Sequence, residues 1–197
     1  MRDKWYADNR DLVKWGVLLT LAKRHGVTHI LQVLYYRPTE WAPLDVDGQQ
    51  VPLPQEVIRH FRNAASVTAI DPTVNVEVMA EGFEDRVAYH AAALKRISSR
   101  PSLPGIVFLD PDTGLEPRTP TLDHVLEAEL ATLWRALGKD DILVFYQHQT
   151  NRNGQPWLPA KKEQFEQALG LSKNAAGVAQ AVEIARDVAF FFARKAG

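Results

Sequence analysis

Apolar positions along the chain follow two alternating rhythms. Within 11–25, Leu12, Trp15, Leu18, Leu19 and Ala22 fall at helical spacing. That spacing predicts a helix, with Asp8 or Asn9 as its cap and Gly26 as its stop. The next run, "THILQVLYY" (28–36), is short, apolar and rich in β-branched and aromatic residues, and reads as a buried strand. Residues 37–54 hold Pro38, Pro43, Pro52 and Pro54 with an Asp47-Gly48 turn signal, and read as a long inserted loop with room for a small hairpin. Beyond it the pattern predicts a helix over 54–65, short strands over 66–70 and 75–81, and a helix over 83–98. A buried strand (105–110), a helix (121–138), a buried strand (141–148) and a helix (159–170) follow. Residues 182–195 read as a closing strand or strand pair.

Strands thus alternate with helices, and the central strands are continuous apolar runs. This predicts a single α/β domain over 1–197, a three-layer sandwich around a mostly parallel sheet. Ligands in such sheets sit beyond the carboxyl ends of the strands. Composition adds little: the chain is 46% hydrophobic and 24% charged, as in an ordinary globular protein. With 23 Lys+Arg against 24 Asp+Glu there is no global basic field. The absence of Cys excludes disulfides, thiolate metal sites and a Cys nucleophile. The polar opening "MRDKWYADNRD" is no signal peptide, and no run approaches the roughly 20 apolar residues of a membrane span. A cytoplasmic protein that does not engage a membrane is expected.

Three segments are predicted to meet at the carboxyl edge of the sheet. In "GIVFLDPDTGLEP" (105–117) a buried strand stops at Asp110-Pro111-Asp112-Thr113-Gly114, with Glu116 just beyond. Pro111 and Gly114 make a tight turn, so backbone can approach a ligand. Asp110 and Asp112 can accept protons, bind a hard cation or hydrogen-bond an amino group; the plainer role of Asp112 and Thr113 is turn capping. The second segment is Tyr146-Gln147-His148, where His148 is a candidate general base. The third is "DNRDLVKW" (8–15), in which Asp11 and Lys14 share a helical face. Lys14 can meet a phosphate, a carboxylate or the acids of the turn, or can be a solvated lysine paired with Asp11.

No Gly-x-Gly-x-x-Gly, P-loop, Gly-x-Ser-x-Gly elbow or His-rich metal pattern is present. Hydride transfer, P-loop NTP hydrolysis and serine hydrolysis are therefore disfavoured.

The segments "YADNRDLVKWGVLLTLA", "IVFLDPDTGLE" and "ILVFYQH" together resemble a family of uncharacterised bacterial proteins. Its members carry Asp-x-x-Lys-Tyr/Trp-Gly, Phe-x-Asp-Pro-Asp-x-Gly and Tyr-Gln-His motifs. More distantly the chain is similar to Rossmann-like S-adenosylmethionine (SAM) methyltransferases that act on adenine amino groups, and to three-Cys-motif partner proteins. The resemblance implies a Rossmann-like fold with an antiparallel C-terminal strand, "VAFFFARK". It also implies SAM as cofactor, a nucleic acid or nucleotide as substrate, and Asp110 with Pro111 holding the target amino group. Asp11 and Lys14 match the N-terminal motif, and Asp71 would be the ribose-binding acid if "SVTAID" is the second strand. The chain departs from those families at Asp112, which replaces a second proline, and at "YYRPTEW", which replaces the glycine-rich cofactor loop.

Three readings result. The first is a SAM-dependent methyltransferase-like enzyme acting on an amino group, with Asp110, Pro111, Asp112 and His148 as catalytic candidates. The second is a binding or partner protein on a degenerate methyltransferase scaffold. The third is a divalent-metal phosphodiesterase or nuclease using Asp110, Asp112, Glu116 and His148. Asp8, Asn9, Tyr146 and Gln147 complete the candidate ligand contacts.

Overall fold

In the computed structural model, which describes residues 8–38, 42–61, 64–151 and 156–197, helix α1 runs Asn9–His25. Asp8 caps it, its carboxylate accepting from the amides of Arg10 and Asp11. The chain continues through β1 (His29–Val33), β2 (Leu44–Val46), β3 (Gln49–Val51), α2 (Gln55–Phe61), a 3-10 helix (Ala64–Ala69) and β4 (Asn75–Met79). Then come α3 (Arg86–Ser98), β5 (Ile106–Leu109), β6 (Gly114–Leu115), β7 (His124–Val125) and α4 (Glu127–Ala136). The last elements are β8 (Ile142–His148), α5 (Leu158–Leu169), β9 (Gly177–Ala181) and β10 (Ala185–Arg194).

The central sheet has six strands in the order β4-β1-β5-β8-β10-β9. β4, β1, β5 and β8 are mutually parallel, and β10 runs antiparallel to both its neighbours. The protein is therefore α/β with a mostly parallel sheet. Side-chain alternation sends Ile30, Phe108, Val144 and Phe190 to one face, where α1 covers them with Trp15, Leu18 and Ala22. Leu31, Val107, Phe145 and Phe191 go to the other face, under α3, α4 and α5. Burial on both faces is why these strands read as unbroken apolar runs. Among the described residues no helix is long and apolar enough to cross a membrane.

The long loop carries the small hairpin expected of it, while several other elements differ from expectation. The hairpin forms around Asp47 and Gly48, both at positive φ (54° and 78°), as a two-residue hairpin turn demands. Residues 66–70 are not a strand: the 3-10 helix ends at Ala69, and only Val67 of 66–70 is buried. β4 already occupies the sheet position beside β1, so this segment has no partner there. The helix expected from 121 begins at Glu127, because His124–Val125 pairs with Gly114–Leu115. The closing pair begins upstream of 182, at β9. The helix expected over 54–65 runs Gln55–Phe61, and its continuation at 62–63 lies outside the described residues.

Asp71 is thereby corrected. It sits before β4, at the amino edge of the sheet, where its carboxylate accepts from the amide and hydroxyl of Thr73 and pairs with Lys23. It is at the wrong end of the strand to meet a ligand at Asp110.

Candidate functional site

The period of two along each strand decides what reaches the α1 side of the carboxyl edge. Gln32 from β1, Asp110 beyond β5, and Tyr146 and His148 from β8 all follow residues of the α1-facing set. Asp110 is 1% exposed, and its Oδ2 accepts from Gln32 Nε2 at 2.8 Å and from Lys14 Nζ at 2.8 Å. Lys14, 3% exposed, also donates to Asp11 Oδ1 at 2.5 Å. Its ammonium lies 5.7 Å from the Tyr146 ring centre and 6.0 Å from that of Phe108. Among the described residues, no donor meets Asp110 Oδ1.

This triad holds one cation between two carboxylates, out of water. Burial would push the Lys14 ammonium down, but the charges of Asp110 and Asp11 outweigh it and hold the group above the usual lysine range. Burial pushes the Asp110 carboxyl up, against the pull of Lys14. Both shifts run upward, that of Lys14 from the charges of its two carboxylates and that of Asp110 from burial.

The triad opens into a cleft of about 380 Å³. Its outer wall is a second network. Arg10 bridges Asp8 (2.9 Å) and Asp187 (2.5 Å), and His148 Nε2 stands 3.2 Å from the same Asp187 oxygen. Burial raises the Asp187 carboxyl, but the Arg10 hydrogen bond and charge, with His148 beside it, bring it below the ordinary aspartate range. The other His148 nitrogen, Nδ1, lies 3.0 Å from the carbonyl of Gln149. Both ring nitrogens thus face oxygens of this chain, which fits His148 as a wall of the cleft better than as a free general base. The cleft lining carries Asp8, Asp11, Asp110, Asp112 and Asp187 against Arg10 and Lys14, so it is acidic.

The turn that presents Asp110 and Pro111 is fixed from behind. Gly114 has φ 134°, and a Cβ there would meet the Gln147 amide at 2.4 Å, so only glycine fits. Gln147, fully buried, accepts from the Leu115 amide at 2.9 Å and donates to the His148 carbonyl at 2.7 Å. It faces away from the cleft, one residue out of phase with Tyr146 and His148. Glu116 likewise leaves the site: its carboxylate accepts from the Glu127 amide at 2.6 Å and caps α4. Asp112 lines the cleft but is paired with Arg37, which also meets Asp123. Asn9 is exposed in the first turn of α1 and absent from the lining, so the cap is Asp8.

The structure therefore brings together Asp8, Asp11, Lys14, Asp110, Pro111, Asp112, Tyr146 and His148. It sets apart Asn9, Asp71, Glu116 and Gln147. Sequence reasoning missed Arg10, Gln32 and Asp187. Gln32 carried a signal, as a polar residue inside the apolar run "HILQVL". Asp187 had a weaker one, an acid opening the run "VAFFFA".

The loop after β1 does not fit the glycine-cradled cofactor that the methyltransferase resemblance implies. Tyr35 there adopts φ 48°, and its side chain is buried against Phe83 and Tyr89 at 5.2 and 5.3 Å between ring centres. Its amide donates to the Tyr89 hydroxyl at 2.9 Å, and the Leu34 amide to the Met79 carbonyl at 3.2 Å. The Leu34 and Tyr35 amides are thus already engaged within the protein. A hard-cation site does not assemble either: among the described residues no three His, Asp or Glu side chains converge to hold a metal. A scan against protein-family models and a search of curated proteins each find no match to the chain.

Proposed function

We propose that the protein binds the exocyclic amino group of a nucleobase, in a nucleotide or nucleic acid, at Asp110. It does so in the cytoplasm, as a binding protein on a Rossmann-like, methyltransferase-like scaffold. Asp110 Oδ1 carries the reading: it is a carboxylate acceptor at a strand end, held rigid by Lys14 and Gln32 through its other oxygen. A hydrogen bond from an amino group to such a charged acceptor contributes about 1.5–3 kcal/mol. The acid majority of the lining favours a donor-rich group over a phosphate inside this cleft. The reversed β10 between β8 and β9, beside parallel β5 and β8, supports the scaffold.

Methyl transfer to that amino group is the second reading, favoured by the Asp110-Pro111 turn alone. Calorimetry with adenosine, cytidine, inosine and uridine tests the first. Adenosine and cytidine bind, inosine and uridine bind at least about tenfold more weakly, and Asp110→Asn removes the difference. Equal affinity for adenosine and inosine sinks the reading. Binding of SAM with methylated product would replace it with the second.

A further inference from the structure

A second groove, of about 620 Å³, adjoins the cleft and shares Thr113, His148 and Asp187 with it. Its remaining wall includes Leu115, His124 and Thr150. It is less acidic than the cleft and is lined by two histidines and two threonines. Asp187 is its one lining carboxylate among the described residues, and Arg10 and His148 already face that group. His124 is held in one tautomer: the Thr121 amide, which can only donate, lies 3.1 Å from Nδ1. The ring proton is therefore on Nε2, which has no partner among the described residues. Two cations support the strand that carries His124. Arg86 donates to the carbonyls of Thr121 (2.8 Å) and His124 (3.1 Å). Lys161 donates to the carbonyls of Leu115 (3.0 Å) and Glu116 (3.1 Å) on the paired strand side. Burial, then the Lys161 charge, with a smaller contribution from Arg86, hold His124 below the ordinary histidine range against the opposing Glu116.

We infer that this groove receives the phosphate attached to the base bound at Asp110, with His124 Nε2–H and the hydroxyls of Thr113 and Thr150 as its donors. The inference rests on the amino-group reading of the cleft. It makes the ligand a phosphorylated nucleoside and gives the site a carboxylate end and a hydrogen-bond-donor end, joined across Thr113.

The test compares adenosine with adenosine monophosphate by calorimetry, on the wild type and on His124→Leu. The wild type binds the monophosphate about tenfold tighter than adenosine, the gain of one charge-assisted hydrogen bond. His124→Leu abolishes that gain and leaves adenosine affinity as it was. An NMR titration of the wild type keeps the test independent of that variant's folding: the His124 ring titrates at higher pH with the monophosphate bound than with adenosine bound. A dinucleoside monophosphate separates the two sources. The same gain with this diester assigns the groove to a nucleic-acid strand, and a gain confined to the monoester assigns it to a free nucleotide. If adenosine binds and the monophosphate binds no tighter, or the His124 titration does not move, the groove assignment is overturned while the cleft reading stands. If neither ligand binds, both fall.

Discussion

The carboxyl ends of β1 and β5 lie side by side in one sheet, yet one is sealed and the other is open. Beyond β1 the chain turns at Tyr35, whose ring packs into Phe83 and Tyr89 and whose amide is met by the Tyr89 hydroxyl. Beyond β5 it turns at Asp110-Pro111, and Gly114 with Gln147 hold the turn from the rear while its front lines a cleft. A left-handed tyrosine stores roughly 1–3 kcal/mol of backbone strain, and here aromatic burial offsets it. The open end stores its cost differently, as two buried carboxylates around one ammonium. The sealed end stabilises the protein, whereas the open end is retained at a cost in desolvation, and that contrast marks the open end as the candidate site.

The strongest way to break this contrast is at Lys14. Lys14→Met leaves Asp11 and Asp110 buried without their cation, and should cost about 3–5 kcal/mol in urea denaturation. A loss under about 1 kcal/mol would mean that the triad is not desolvated as described. Gly114→Ala comes next. It combines a steric clash with Gln147 and an unfavourable φ, and should cost about 2–3 kcal/mol. Shortening Gln147 to Ala in the same chain should recover part of that loss, which tests whether the contact is the cause. Tyr89→Phe probes the sealed end. It removes the hydrogen bond from the Tyr35 amide to the Tyr89 hydroxyl and should lower stability by about 1–2 kcal/mol while leaving adenosine affinity unchanged. A change in affinity would show that the β1 end takes part in binding after all.

The smallest effect is at the outer wall. The Asp187 carboxyl is held below its ordinary range in the fold, so its stabilisation is complete above the unfolded value of about 3.9 and is lost as pH falls through the folded one. Asp187→Asn should therefore be about 0.5–1 kcal/mol less stable than the wild type at pH 6. The difference should close on acidification below about pH 4, as followed by thermal melting. A gap that persists at pH 2 would mean that the Arg10 pair is not its source.

Much of the fold was legible because local signals and tertiary structure agreed. Asp8 and Gly26 bound α1 as their residue types suggest, and the apolar runs at β1, β5 and β8 became the buried strands. The failures came where a partner elsewhere decided the outcome. "SVTAI" has strand composition but no sheet position, and His124–Val125 has helix-start composition but pairs with Gly114–Leu115. At the site, the Asp11–Lys14 spacing correctly anticipated a shared face, and the strand end correctly placed Asp110 at the edge. Glu116 and Gln147 neighbour the site in sequence but not in space, Glu116 turning to the Glu127 amide and Gln147 to the Leu115 amide. Strand alternation alone separates Gln147 from Tyr146 and His148. Arg10 and Asp187 were out of reach, since no local pattern links residues 177 apart.

That last distance bears on how the protein acquires its site. β9 is paired only with β10 in the sheet, so it joins the sheet only through β10. Asp187 enters the edge with β10 and closes on Arg10, near the start of α1. The cleft wall is thus closed by segments far apart in the chain. A chain cut before β10 would keep β5 and its acidic turn but would lack the closing clasp. Ligand binding should therefore report completion of the whole fold, and fragments should regain it only when α1 and β10 are supplied together.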